Sequence, residues 1–283
     1  MDLDSAYFDF TARLKLLVSK HPGLVTMTLS NIFTMRLIGN KTHGDLAEIA
    51  ISEFVNQYMY DFKSVHVGKD LYRAKSMEQD IQVTNEITKI SFPISLKAYG
   101  DGPLQLSTDK NSKMFPRLKQ EGDGIDDPQK VKALFECIEF ADFGSINVLP
   151  LVYDEKNKKC NILVFDHRRA RQAVTRIVQE KDGKGRKHPV YRFYDDAGDY
   201  VCEVRYGDAA ANALQRGLWT NTKRGLKYFD SVTNGWITYE HNLVLVQLFS
   251  HALVASRAGH TAALDRLKDD IRALKQKEGL PTT

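Results

Sequence analysis

The chain reads as a mixed α/β protein, a central sheet flanked by helices, with a hairpin-and-helix addition towards its C-terminal end. Three observations carry that reading. Apolar residues recur at helical spacing before residue 60, and the period then switches to two between Val65 and Leu96. A nearly continuous apolar run, Ile146–Tyr153, has the texture of a strand buried on both faces. Composition agrees: hydrophobic residues make up 42% and charged residues 27% of 283, so apolar surface is ample to offset the entropy of ordering the chain.

The elements follow in order. A first helix is expected after Asp4 or Ser5, with Tyr7, Phe10, Leu14 and Leu17 on one stripe, ending before Pro22-Gly23. An apolar stretch from Leu24 to Ile38 ends at Gly39-Asn40. The next helix starts near His43-Gly44 and runs to about Tyr60, its stripe being Ala47, Ile51, Phe54, Val55 and Tyr58. Val65, Val67 and Leu71 suggest a first strand, Asp80–Thr84 a second, and Ile90, Phe92, Ile94 and Leu96 a third that ends at Gly100. Pro93 within that third run points to an edge or a bulge, because proline donates nothing to a ladder. Residues 100–127 are rich in Gly, Asp and Lys around Leu104–Leu106 and read mostly as loop. A helix is expected over Asp127–Phe140, with Val131, Leu134, Phe135 and Ile138 on one side. The strand Ile146–Tyr153, a polar turn, the strand Cys160–Phe165 and a basic helix from Arg168 come next. Val190–Tyr194 and Tyr200–Tyr206 flank a DDAG turn and read as a hairpin. A helix, a second hairpin (Leu226–Asp230 with Trp236–Tyr239) and a long helix from about Asn242 complete the chain. The last helix repeats Leu264, Leu267, Ile271 and Leu274 at spacings of three and four.

Charge is distributed unevenly. Forty Lys+Arg against 36 Asp+Glu give only +4 overall, yet residues 168–192 hold nine cations and two acids. A shorter excess runs through Arg216, Lys223, Arg224 and Lys227, with Trp219 inside it. Local basic tracts with interleaved aromatics suit a polyanion-binding face; a solvated helix followed by a basic loop is the plainer alternative. Cys137, Cys160 and Cys202 are odd in number and scattered, which argues against a disulfide framework or a cysteine zinc site and suits a reducing compartment. An acidic N-terminus lacks the cations of a signal peptide, and no run of about 18 apolar residues exists to span a membrane. The expectation is a soluble, cytoplasmic protein with no membrane partner.

The stretch that carries chemistry is EQDIQVTNEITKISFPISLKAYG, residues 78–100. If the chain reverses near residue 87 or 88, Asp80 lies across from Ser95 in an antiparallel pair. Ser95 and Lys97 then share one face while Ile94 and Leu96 point to the other. An acid and a lysine converging at one sheet edge is what hydrolysis of a phosphodiester requires: a carboxylate to hold a hard divalent metal, and an ammonium to support the nucleophile or the phosphate.

On these residues, and on the order helix, three strands, helix, strand over roughly residues 44–166, the chain resembles the restriction-endonuclease-like superfamily with its PD-(D/E)-x-K signature. Gln79 stands where the pattern has proline, and Ser95 where it has the second acid. Some members recruit a glutamate from the preceding helix instead. Here Glu48, which flanks the stripe of Ala47, Ile51 and Val55, is the candidate, whereas Glu53 projects almost oppositely. The resemblance implies a restriction-endonuclease-like core, Mg2+ as cofactor and double-stranded DNA as substrate, most like a type II restriction endonuclease acting as a homodimer. Asp80 and Glu48 would hold the metal, Lys97 would position or activate water, and Ser95 would bond a metal-bound water. The implied division is an N-terminal helical segment 1–43, a nuclease core 44–180, and a region 181–283 for DNA contact and dimerisation. Arg168, Arg169 and Arg171 are the candidate phosphate contacts. Trp219, Asn221, Thr222, Lys223 and Arg224 are the candidate DNA readers, since Asn and Arg bond base edges bidentately.

Glu78 is a local alternative to Asp80, while Asp154-Glu155-Lys156 sits in a polar turn and Glu203-Val204-Arg205 lacks a lysine. No GxSxG, GxGxxG, GxxxxGK[ST] or HExxH occurs, which leaves serine-hydrolase, nucleotide-driven and zincin chemistry unsupported. His167, next to Asp166, could touch phosphate or simply lie at the surface. A repair or junction-resolving nuclease, or a non-catalytic DNA-binding protein with a decayed site, are the alternative functions.

Overall fold

A computed structural model of the protein describes residues 3–38, 43–67, 80–107, 113–180, 189–206, 216–248 and 260–277. The N-terminal part is helical: α1 (Leu3–Lys20), α2 (Pro22–Ile38) and α3 (His43–Tyr58). Helix α1 buries Ala6, Tyr7, Phe10, Leu14 and Val18, a stripe of helical period, and the Tyr7 hydroxyl donates to the Val148 carbonyl at 2.9 Å. An antiparallel meander follows, β1 (Phe62–His66), β2 (Ile81–Asn85) and β3 (Ser91–Tyr99).

The chain then crosses over through β4 (Pro103–Ser107), α4 (Met114–Glu121), β5 (Gly124–Ile125), α5 (Pro128–Phe135) and a 3-10 turn at Ile138–Gly144. It returns as β6 (Val148–Asp154), parallel to β3, and β7 (Lys159–Phe165), antiparallel to β6. A parallel neighbour needs such a long connection because a tight turn can only reverse direction. Helix α6 (His167–Ala173) leads into β8 (Val174–Glu180), β9 (Val190–Asp195), β10 (Tyr200–Arg205) and β11 (Gly217–Asn221). Beyond them lie β12 (Phe229–Ser231), β13 (Ile237–Thr238) and α7 (His260–Lys277).

Two sheets result. The first is mixed and runs β1-β2-β3-β6-β7-β12, with β13 also on β7; the second runs β4-β11-β10-β9-β8-β5. One face of the first sheet is covered by α1, α2 and α3, through Phe92, Ile94, Leu96, Leu149, Leu151 and Ile162. Its other face, with Val148, Val152, Leu163 and Phe165, joins the core that the second sheet, α4 and α5 complete. Strand β6 therefore buries residues in two different cores, which is why its sequence is apolar from Val148 to Tyr153. Among the described residues no helix is long and apolar enough to cross a membrane.

Several expectations are corrected. Strand β1 is one residue out of phase with the reading from Val65 and Val67: Phe62 and Ser64 face inward and Val65 is 55% exposed. A one-residue slip moves every side chain to the other face. Leu71 lies outside the described residues. Residues 100–127 are not mostly loop. Leu104 and Leu106 form the inner face of β4, and Met114, Phe115 and Leu118 give α4 a short buried stripe. Helix α5 ends at Phe135, leaving Ile138 73% exposed, and Tyr58 is exposed at the end of α3. The basic helix is a seven-residue piece, after which the chain turns into β8. The second hairpin does not form: β12 and β13 each pair with β7 instead of with one another. Pro93 is accommodated because β6 pairs with β3 only from Ser95 onward, so β3 has a neighbour on one side alone at Pro93.

Candidate active site

The reversal between β2 and β3 sets Ile81 opposite Ile94, which brings Asp80 level with Ser95, as the spacing anticipates. Asp80 is held by its backbone on both sides: its N–H donates to the Ile94 carbonyl at 3.2 Å, and its carbonyl accepts from Val67 N–H at 3.1 Å. Its Oδ2 accepts two hydrogen bonds, from the Ser95 hydroxyl at 3.1 Å and from Leu96 N–H at 2.6 Å. The same β3 segment is tied to β6 by Ser95 N–H donating to the Asn147 carbonyl at 2.9 Å. Ile94 and Leu96 point into the helix-covered core, so Ser95 and Lys97 share the opposite side of β3. Lys97 is half-buried and forms no ion pair with another described residue. Ser95 thus serves to orient Asp80 through a direct hydrogen bond.

Glu48 comes from α3, and its Oε2 lies 3.1 Å from His66 Nε2 on β1. Burial raises the Glu48 pKa above the ordinary carboxylate value; the His66 hydrogen bond opposes this, and the charges of Asp80 and Asp45 add to it. Glu48 and Asp80 therefore sense one another electrostatically, though each takes its hydrogen bonds from a different strand. His66 escaped the sequence reading because the Val65/Val67 phase turns it away from α3. The correct phase, shared with Phe62 and Ser64, turns it towards Glu48. Asn147 was also missed; next to the Ser95 contact, its side-chain Oδ1 is buried without a hydrogen-bond partner among the described residues.

As donors for a metal, Glu48 and Asp80 offer two carboxylates, with Oδ1 of Asp80 accepting no hydrogen bond from a described residue. No cluster of three or more His, Cys, Asp or Glu suited to a metal occurs among the described residues. A pair of carboxylates nonetheless fits magnesium, which takes one or two from a protein and completes its shell with water and substrate phosphate.

The basic residues are mostly engaged elsewhere. Arg168 binds Asp4 at 2.5 Å and covers the Phe8 ring, and Arg169 reaches Asp230 at 3.1 Å and Asp166 at 3.8 Å. Arg171 pairs with Glu136. His167 is buried against Asp4 at 2.7 Å, and burial holds its pKa below the ordinary imidazole value despite that carboxylate. The Asp4 and Phe8 contacts fasten α6 to α1, while Arg169 ties it to β12 and Arg171 to the end of α5. Trp219 sits inside β11 with its indole N–H donating to the Arg216 carbonyl at 2.8 Å. Asn221 Oδ1 caps a turn, accepting from Lys223 N–H at 2.9 Å and Arg224 N–H at 3.0 Å. Thr222 is buried against Gly102, and Lys223 binds Asp101 at 2.7 Å. Of the residues expected to read bases, Trp219 and Asn221 use these polar atoms within β11 and its own turn, and Thr222 bonds the Gly102 backbone ahead of β4. Lys181, Lys184, Arg186 and Lys187, and Glu78, lie outside the described residues.

The competing triplets have structural roles. Asp154 accepts from the backbone and side chain of Asn157 in the turn between β6 and β7, and Glu203 bonds both Arg192 and Arg205. No known protein-family model, curated protein or solved structure matches this chain.

Proposed function

We propose that the protein is a magnesium-dependent endonuclease that cuts double-stranded DNA, of the type II restriction class, on a restriction-endonuclease-like core built from α3, β1–β3, α5 and β6. The observation that carries this reading is the convergence at the head of β2. There Asp80 is fixed by Ser95 and Leu96, Lys97 stands two residues further along the same side of β3, and Glu48 is close enough to feel the Asp80 charge. The parallel β3–β6 pair after an antiparallel meander supports it further.

Asp80 and Glu48 would hold the magnesium ion. Bound there, it would supply Lewis acidity towards phosphate and water. Lys97 presents an ammonium that steadies the water or a phosphate oxygen, and Ser95 keeps the Asp80 carboxylate turned towards its task. The described residues form one such site, so cutting both strands calls for a homodimer.

Incubating plasmid DNA with the protein, with magnesium or with chelator, tests the reading directly. Discrete magnesium-dependent fragments that vanish with Asp80→Asn are expected. Preference for branched or damaged DNA would favour a repair or junction-resolving nuclease. Binding that survives chelation with no cleavage under any divalent metal would make the protein a non-catalytic DNA binder in which Ser95 marks a decayed site.

A further inference from the structure

The second sheet carries a row of side chains that the candidate site does not use. On the side away from the core, Arg176 of β8 stands opposite Tyr194 of β9, and Tyr194 stands opposite Tyr200 of β10. The Arg176 guanidinium lies over the Tyr194 ring at 5.3 Å, and that of Arg224, from the turn after β11, over the Tyr200 ring at 4.3 Å. The row thus reads Arg176, Tyr194, Tyr200, Arg224 across three strands and a turn.

Its two arginines differ from their neighbours. Arg192 is bound by Glu180 and Glu203, and Arg205 by Glu203 while stacking on Trp219 at 3.7 Å. Arg176 and Arg224 are exposed and have no carboxylate within ion-pair distance among the described residues. Each is oriented by a ring, a support that leaves its charge and N–H donors available. The Asn221 cap on Arg224 N–H fixes the turn from which Arg224 projects.

Rings under guanidiniums also indicate which part of a nucleic acid they suit. A platform for unstacked bases needs open ring faces. Here Tyr200 and Trp219 are each only 5% exposed, with a guanidinium over each ring. Forked donors with unneutralised charge match backbone phosphates. We propose that Arg176 and Arg224 grip the phosphate backbone of duplex DNA, one phosphate each, so that this sheet face is the docking surface for the substrate. The proposal rests on the nuclease reading for its choice of polyanion.

The test is binding of a fluorescein-labelled DNA duplex to the full-length protein in chelator, where no cleavage occurs, across a range of salt. Loss of one phosphate contact lowers the slope of log affinity against log salt by about 0.9, so Arg176→Gln/Arg224→Gln should lower it by about 1.8. Each single variant should lower it by about half as much, so the outcome does not depend on the double variant folding. Arg224→Lys should keep most of the slope. An unchanged slope in folded variants overturns the proposal. So does an equal drop in Lys15→Gln/Lys20→Gln on α1, which removes the same charge elsewhere, and so does a loss confined to single-stranded DNA. If the wild-type protein cuts plasmid while the double variant keeps its slope, only this surface is wrong. If the wild-type protein neither binds nor cuts duplex DNA, the nuclease reading falls as well.

Discussion

Asp80 and Glu48 experience negative charge differently. Asp80 receives a hydroxyl and a backbone N–H on one oxygen, whereas Glu48 is desolvated beside the Asp80 charge with His66 alone in support among the described residues. On the proposed nuclease reading, Asp80→Asn should cut cleavage by about a hundredfold or more, on the order of the several kcal/mol that a bound metal would contribute, while duplex binding stays level or tightens. Cleavage within tenfold of wild type would remove Asp80 from the site. Glu48→Gln should cost at least about tenfold in activity yet leave the melting temperature unchanged or higher, because it deletes a charge that the fold penalises. Glu53→Gln is the comparison, and equal small effects from both changes would remove Glu48. Asp195 gives the opposite electrostatic case. Burial works against its ionisation, but hydrogen bonds from Lys227, Tyr228 and Asp199 N–H outweigh it and hold its pKa below the ordinary value. A depressed folded-state pKa contributes stability above the unfolded value, about 3.9, and that contribution disappears as pH falls through the folded value. The melting-temperature advantage of wild type over Asp195→Asn should therefore be full at neutral pH and shrink on acidification below about pH 4.

At the scale of elements, the decisive contacts are those that lock one segment to another. The Tyr7 hydroxyl, on a fully buried ring, ties α1 to β6 across 141 residues. Tyr7→Phe keeps the ring packing and strands a carbonyl, so it should destabilise by about 1–2 kcal/mol in denaturant titration. Gly225 closes the turn after β11, its N–H donating to the Asn221 carbonyl at 2.8 Å. A methyl group there would sit 3.0 Å from Thr220 Oγ1 and 3.1 Å from the Val201 carbonyl. The Thr220 hydroxyl already donates to that carbonyl at 2.7 Å, so neither atom has room to yield. Gly225→Ala should cost about 1–3 kcal/mol, the usual scale of overpacking, and weaken the support of Arg224. A variant as stable as wild type would show that the turn can shift.

At the scale of the whole molecule, strands from distant parts of the chain share each sheet. β4 pairs with β11, while β12 and β13 both pair with β7. The C-terminal strands thus close the same cores that the middle of the chain opens, and α1 covers the β3–β6 region from the other end. A fragment of residues 44–180 should not melt cooperatively, since β4 and β7 would expose unpaired edges and α3 would lose its helical neighbours. A sharp thermal transition in that fragment would show that residues 44–180 fold without the N-terminal helices and the C-terminal strands.

Local pattern made much of this legible. The period of two from Ile90 to Leu96 and the distance from Asp80 to Ser95 specify a hairpin register, because antiparallel pairing over a short turn leaves few alternatives. The continuous apolar run of β6 announces a strand with a core on each side. Helix α3 is equally readable, since its stripe repeats over several turns. What the sequence could not carry is long-range choice. Val65 and Phe62 are both apolar, and only packing against α3 decides which faces inward and hence that His66 meets Glu48. Arg168, Arg169 and Arg171 look like free cations until folding brings Asp4, Asp230 and Glu136 to them. Arg176 and Arg224 belong to separate basic tracts in the chain and become one row only because β8, β9 and β10 lie side by side. Periodicity is a property of neighbours in sequence, whereas charge neutralisation and strand order depend on neighbours in space.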